Sequence, residues 1–201
     1  MALDIVLFDL GGVLIELADI QSMGRFFGDE PEEDVWRRWL ACPWVRRFER
    51  GQCSPDEFAR GMVESWSMRA TPEIFLDAFV RWPRGLMPGA RALAEAARAR
   101  IPIGCLSNTN ALHADRHASE EGVYGLFDHR FLSHELGLVK PDREIFEHVL
   151  GVLGCRPERV LFLDDNAINV EGARAAGLRA ERARGVAEVR GALARHGIEL
   201  D

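Results

Sequence analysis

Three short apolar runs in this chain stop abruptly at polar residues. Ile5–Phe8 ends at Asp9, with Gly11 and Gly12 just beyond it; Ile101–Leu106 ends at Ser107; Val160–Leu163 ends at the pair Asp164–Asp165. Continuous apolar runs of this length are the pattern of strands buried on both faces. In an open α/β sheet, ligands bind at the carboxyl ends of the strands, so these terminating residues are candidates for a common site. Lys140 joins them, standing ahead of a helical stretch that follows a fourth strand candidate, His129–Ser133. It is also the chain's only lysine, set against 24 arginines. A compact ammonium on a flexible stem enters a pocket that a planar guanidinium does not. Three carboxylates, a hydroxyl and one ammonium on one edge suit a small charged ligand.

The elements that must position these groups follow from periodicity. A further strand candidate covers Leu178–Ala183. Between the strands, Ile145, Phe146, Val149, Leu150 and Leu153 keep helical spacing, with Pro141 and Asp142 at the start and Gly154 at the end. Ala90–Arg100 and Ala167–Ala176 are alanine-rich with interspersed charge, which again predicts helices. Strand alternating with helix predicts an α/β fold with a parallel sheet. Residues 16–85 break the alternation: they hold all five tryptophans and six of the eleven phenylalanines, several helical patterns punctuated by Pro31, Pro43, Pro55 and Pro72, and no clear strand. The economical reading is a helical insert with its own aromatic core, 16–85, set into an α/β domain formed by 1–15 and 86–201. The aromatic cluster reads as core rather than as a cofactor-stacking surface.

Composition removes several function classes. The net charge of −7 and pI near 5.4 argue against nucleic acid as a partner, while leaving room for a small anionic substrate. Cys42, Cys53, Cys105 and Cys155 form no CxxC pair and read as reduced thiols, not as a metal cluster. Asp4 and Asp9 interrupt the apolar N-terminus, which predicts neither signal peptide nor membrane anchor and a cytoplasmic location. His113 and His117 stand at i, i+4, but HADRH lacks the glutamate of a zinc-protease motif, so they read as surface histidines. No GxGxxG or Walker-type sequence occurs. The expected oligomeric state is monomer or homodimer.

FDLGGVL, LSNTN, GLVKPDREIF and FLDDNAINVEGARAAG, in that order over residues 5–177, resemble the four motifs of the haloacid dehalogenase (HAD) superfamily. The segments LSNTNALH, KPDREIFEHVL and FERGQCSPDEF look most similar to bacterial sugar-phosphate phosphatases of the α-D-glucose-1-phosphatase type. The resemblance implies a Rossmann-like core with a helical cap inserted after the first strand. It also implies a Mg²⁺-dependent phosphatase acting on a small phosphorylated metabolite. In that scheme Asp9 is the nucleophile that forms an aspartyl-phosphate, and Lys140 offsets its charge and that of the substrate. Ser107 and Asn108 donate to phosphoryl oxygens. The metal is held by Asp9, the Gly11 carbonyl and Asp165, with Asp164 adjacent or linked through water. A carboxylate with an ordinary pKa of about 4 is ionised without a base, and a dense acidic cluster beside phosphate calls for a divalent cation.

One position departs from the pattern. The family's phosphatases carry a second aspartate two residues after the nucleophile as general acid, and here that residue is Gly11. General acid catalysis is worth roughly 10²–10⁴-fold. A good leaving group, such as the anomeric oxygen of a sugar 1-phosphate, or an acid supplied by the cap would make up for it. Glu49, Arg46 and Arg47 are the cap residues that could touch the sugar. Two rival readings stand beside this one. A 2-haloacid dehalogenase keeps the aspartate, the Ser-Asn pair and the lysine, but has Tyr at the position of Gly11 and no use for adjacent aspartates. A non-catalytic binding or regulatory protein with a decayed site has Gly11 as its only support.

Overall fold

The computed structural model describes residues 2–18, 24–28 and 30–200. Its centre is a five-stranded parallel sheet in the order β5-β4-β1-β6-β7, as the strand–helix alternation predicts. In chain order these strands are β1 (Ile5–Phe8), β4 (Ile103–Ser107), β5 (His129–Leu132), β6 (Val160–Asp164) and β7 (Arg179–Arg182). Strand β1 lies in the middle, parallel to β4 on one side and β6 on the other. Its side chains divide between two cores. Val6 and Phe8 pack with Leu93, Ala97 and Leu193, while Ile5 and Leu7 pack with Ile145, Phe146 and Val170. Burial on both faces explains why the run is apolar without alternation.

The chain leaves and re-enters this fold through β2 (Ile15–Leu17) and β3 (Pro83–Leu86), an antiparallel pair with a register shift at Glu16/Leu17. This corrects the expectation that residues 16–85 contain no strand. A three-residue strand shows no legible alternation, and a partner holding Pro83 and Gly85 carries residues that weaken any strand signal.

Between them lie α1 (Gly24–Phe27), α2 (Glu32–Ala41), α3 (Pro43–Glu49), α4 (Pro55–Ser65) and α5 (Pro72–Val80). Residues 19–23 and 29 of the insert lie outside the described residues. The prolines mark helix starts: Pro43, Pro55 and Pro72 occupy first-turn positions where no N–H is required. Ser54 and Glu57 form a capping box on α4. The interior is aromatic. Phe58 is stacked on Phe48 at 4.3 Å between centroids, and Trp39 lies against Phe27, Trp66, Phe79 and Trp82. Burying rings of this size contributes about 1.5–3 kcal/mol each, which gives the insert a core of its own.

The remaining helices are α6 (Ala90–Arg98), α7 (Ala111–Glu121), α8 (Ser133–Leu136), α9 (Arg143–Leu153), α10 (Ala167–Ala175) and α11 (Gly185–Arg195). Helix α9 begins after Asp142 and stops at Gly154, whose φ of 63° is open to glycine at little cost. Among the described residues, no helix is long and apolar enough to cross a membrane.

Candidate active site

Every strand neighbouring β1 delivers a polar group to the same edge. Asp9 follows β1, Ser107 ends β4, and Asp164 ends β6 with Asp165 directly after it. Lys140 arrives from the loop between α8 and α9. Its Nζ donates to Asp9 Oδ1 at 2.8 Å and to Asp164 Oδ2 at 2.7 Å, and its side chain is 1% exposed. The ammonium also lies 5.1 Å from the centre of the Phe162 ring. Burial opposes its charge, but the two carboxylates prevail and hold its pKa above the ordinary lysine value.

Asp164 is fully engaged. Oδ1 accepts from the backbone N–H of Asn166 at 2.8 Å, Oδ2 accepts from Lys140, and the Asn169 amide donates to both oxygens at 3.2 and 3.1 Å. This carboxylate therefore orients Lys140, and it does so from a place beside Asp9 and Asp165, in keeping with the metal-adjacent position implied by resemblance. Asn108 is likewise turned inward. Its Nδ2 donates to the Lys140 carbonyl at 3.0 Å and its Oδ1 accepts from the Lys140 N–H at 2.8 Å. Its side chain thus braces the lysine's backbone, which leaves less of it for a phosphoryl oxygen. Ser107 is buried at the end of β4, and the loop after it is held by Thr109 N–H donating to Ser133 Oγ at 2.9 Å.

Asp165 closes the group from the side of Gly12. A Cβ on Gly12 would fall 2.2 Å from Asp165 Oδ2, and φ there is +73°, so backbone and carboxylate approach in a way only glycine allows. Gly11 is different. Its φ is not in the left-handed region, and a Cβ would meet the Leu17 side chain at an ordinary 3.4 Å. The missing carboxyl at this position is not imposed by the backbone.

Oxygens of Asp9, Asp164 and Asp165 lie within 4.8 Å of one another. Three carboxylates against one ammonium leave a formal charge of −3 + 1 = −2. The imbalance is visible in ionisation. Burial raises Asp9 to about 7, with Lys140 opposing and Asp164 and Asp165 reinforcing; burial and Asp164 raise Asp165 to about 6. The ordinary carboxylate expected at Asp9 is thus realised only when further positive charge is present. An all-oxygen donor set short of two positive charges fits Mg²⁺. Asp9, the Gly11 carbonyl and Asp165 are the residues that would hold it.

Above the edge, the insert covers a cavity of about 630 Å³. Its floor includes Asp9, Gly11, Ser107, Asn108, Lys140 and Asp165, and its roof includes Trp36, Trp39, Leu40, Glu49, Phe79 and Trp82. Several aromatic residues therefore serve as core and cavity wall at once. Of the three expected cap contacts, Glu49 faces the cavity. Arg46 does not line it: it pairs with Asp142 at 2.5 Å, while Arg47 is exposed and lies over the Trp44 ring at 4.8 Å.

His113 and His117 are buried, contrary to their reading as surface residues. Helix α7 lies beneath the insert, so the face carrying them points inward. His113 Nε2 donates to the Phe79 carbonyl at 2.8 Å, and its Nδ1 faces the Asn110 amide at 3.1 Å. Burial depresses its pKa to about 4. A protonated ring would place an N–H against the amide N–H of Asn110.

A parallel α/β sheet with buried carboxylates and a lysine at its carboxyl edge, beneath a helical insert, has its ligand site at the strand ends, as open α/β folds do. The chain belongs to the haloacid dehalogenase-like hydrolase family, which it matches over residues 3–177. It is 27% identical to a phosphatase of Mycobacterium tuberculosis over 90% of this chain and 87% of that protein. It is 30% identical to the sesquiterpene phosphatase astK of Aspergillus oryzae over 86% of this chain and 85% of that one. A HAD-family enzyme of Bacteroides thetaiotaomicron in its magnesium complex superposes with a TM-score of 0.70 at 25% identity, covering 92% of this chain and 94% of that one.

Proposed function

We propose that the protein is a Mg²⁺-dependent phosphatase that cleaves a small sugar 1-phosphate through an aspartyl-phosphate on Asp9. The observation that carries this reading is the buried Asp9–Lys140–Asp164 chain with Asp165 beside it. Asp9 attacks phosphorus. At 4 Å each charge pair between nucleophile and phosphate costs about 4 kcal/mol at an effective dielectric of 20, so positive charge is needed at the point of attack. Lys140 supplies one such charge and Asp164 keeps it aimed. When bound, Mg²⁺ supplies the rest and polarises a phosphoryl oxygen. Ser107 donates a hydrogen bond to another, and the aromatic walls of the insert cover part of the cavity.

The sugar 1-phosphate is supported by the resemblance of LSNTNALH, KPDREIFEHVL and FERGQCSPDEF to sugar-phosphate phosphatases. With Gly11 in place of a carboxyl, an anomeric leaving oxygen also asks less of an acid supplied from elsewhere than a primary alcohol does. Aromatic side chains in the roof offer faces on which a pyranose ring can rest. The same roof favours a second reading of the substrate, a phosphate monoester with an apolar body, which would fill the wall of Trp36, Leu40 and Trp82.

Phosphate release is measured from sugar 1-phosphates, sugar 6-phosphates and an apolar monoester, with Mg²⁺ or EDTA, beside Asp9→Asn. Metal-dependent release that favours 1-phosphates and disappears in the variant is the expected result. Preference for the apolar ester selects the second reading. Halide release from a 2-haloacid in EDTA, with no phosphate release, would replace both with a dehalogenase.

A further inference from the structure

We propose that Glu49 is the general acid of this reaction, protonating the leaving oxygen from the insert side of the cavity. The inference rests on the phosphatase reading above and deepens it.

Position is the first argument. Glu49 ends α3 and lines the cavity whose floor holds Asp9, Ser107 and Lys140. The Trp39 indole and the Asn108 amide line the same cavity and favour its ionised form. Asn108 also grips the backbone of Lys140, whose amine touches Asp9. Glu49 therefore lines the insert side of the cavity, across from the sheet edge that carries Asp9, and the leaving group of a phosphate attacked by Asp9 departs toward that side.

Anchoring is the second. Arg46 and Arg50 flank Glu49 and both pair with Asp142, at 2.5 and 2.6 Å, two residues beyond Lys140. At Gly51 a Cβ would stand 2.7 Å from the His134 carbonyl oxygen, and φ is +67°, so the chain after Glu49 lies directly on the core. A carboxyl fixed at both ends of its turn is held rather than carried on a loose surface.

Protonation is the third. Burial raises the Glu49 carboxyl to about 7, against the opposing pull of Lys140, Trp39, Arg46 and Asn108. Asp9 and Asp164 lie behind Lys140 and weaken its pull. An acid of this strength is matched to neutral pH. Three other cavity groups are poorly suited. Glu33 is exposed and paired with Arg37, His113 is a neutral ring bound to Phe79, and burial pushes the Tyr124 phenol above its ordinary value.

The steps balance. As the Asp9 oxygen bonds to phosphorus, the P–O bond to the sugar breaks and its electron pair stays on the sugar oxygen, which takes the Glu49 proton. The products are the free sugar, the aspartyl-phosphate and Glu49 carboxylate. Water then attacks phosphorus while Glu49 takes its proton, which releases phosphate and restores both side chains.

Glu49→Gln should lower kcat/KM for the sugar 1-phosphate by about 10²–10³-fold. With p-nitrophenyl phosphate, whose phenolate leaves without a proton, the loss in kcat/KM, which reports only the steps through transfer to Asp9, should stay below about fivefold. Gly11→Asp in the Glu49→Gln background should recover at least about tenfold on the sugar ester, because it places an acid at the position where the wider family's phosphatase pattern has one. A readout independent of turnover uses the metal-free protein. A carboxyl raised from 4.5 to about 7 binds more protons folded than unfolded, so wild-type stability falls as pH rises through that window; Asp9 and Asp165 contribute to the same fall, and Glu49→Gln should make it shallower by the share of one carboxyl. Equal losses on both esters, or no loss on either, overturn the assignment. If the wild type releases phosphate from neither ester, the phosphatase reading fails and this inference fails with it. Asp9-dependent release that ignores Glu49→Gln defeats this inference alone.

Discussion

At the carboxyl edge of the sheet, ionisable groups are buried against one another, and in the helical insert, phenylalanine and tryptophan rings are buried against one another. Both regions exclude water, with opposite consequences. At the edge, burial raises Asp9 and Asp165 and makes Lys140 and Asp164 depend on each other. In the insert, burial supplies stability and brings few polar groups to the cavity, Glu49 chief among them. Chemistry is concentrated where desolvation is costly, and the cover is built where desolvation is favourable. Substitutions at the edge should therefore remove turnover in a folded protein, and substitutions inside the insert should remove stability first.

The sharpest break in that contrast would come from Asp9→Asn. Turnover should fall by at least about 10⁴-fold with an unchanged circular dichroism spectrum; steady-state phosphate release checks it. Residual activity above that level would mean that the edge does not hold the nucleophile. Next is Lys140, where both effects meet. Lys140→Met leaves Asp9 and Asp164 buried without their shared cation, and breaking a buried pair costs about 3–5 kcal/mol. Lys140→Arg keeps the charge but not the shape, and should still lose at least about 10²-fold in turnover. Urea denaturation beside kinetics separates the two.

Phe58→Ala tests the other region. Its ring is fully buried and stacked on Phe48, so the variant should lose about 3–5 kcal/mol. The surviving folded fraction should turn over at a rate near wild type, and a selective collapse of kcat without loss of stability would blur the division.

Acid tests the seam between the regions. Unfolded His113 binds a proton near 6.5 but folded His113 only near 4, so between these values the unfolded state holds more protons. Its contribution to stability therefore falls as pH drops from about 6.5 to about 4, by up to about 3 kcal/mol. His113→Phe should show a shallower fall in urea midpoints over that window; a parallel curve would remove His113 as the cause. The smallest effect is expected at Asp142→Asn. Its half-buried ion pairs contribute about 1 kcal/mol or less, but loosening α3 should raise KM about three- to tenfold with little change in melting temperature.

Much of the edge was legible because strands buried on both faces are written as unbroken apolar runs. Asp9, Ser107 and Asp164 stand out as the points where those runs stop. Helix starts in the insert were legible from their prolines, and its core from its aromatic content. The ribbon of β2 and β3 was not, since so few residues carry no period. Nor was the burial of His113 and His117, which depends on the insert folding back over α7. Arg46 looked free to meet a ligand until the fold placed Asp142 beside it.

By itself the sequence determined the alternation of strand and helix, the family, and which residue types gather at one edge. These are properties of local pattern, set by what each short segment must bury. Tertiary structure alone decided that Lys140 bridges Asp9 and Asp164, that Asp164 serves the lysine, and that Glu49 hangs over the site. Asp9 and Lys140 are separated by 131 positions, and their contact exists only because β1 and the loop before α9 meet at one edge. The burial that sets their ionisation comes from the whole packed domain, and no stretch of sequence carries it alone.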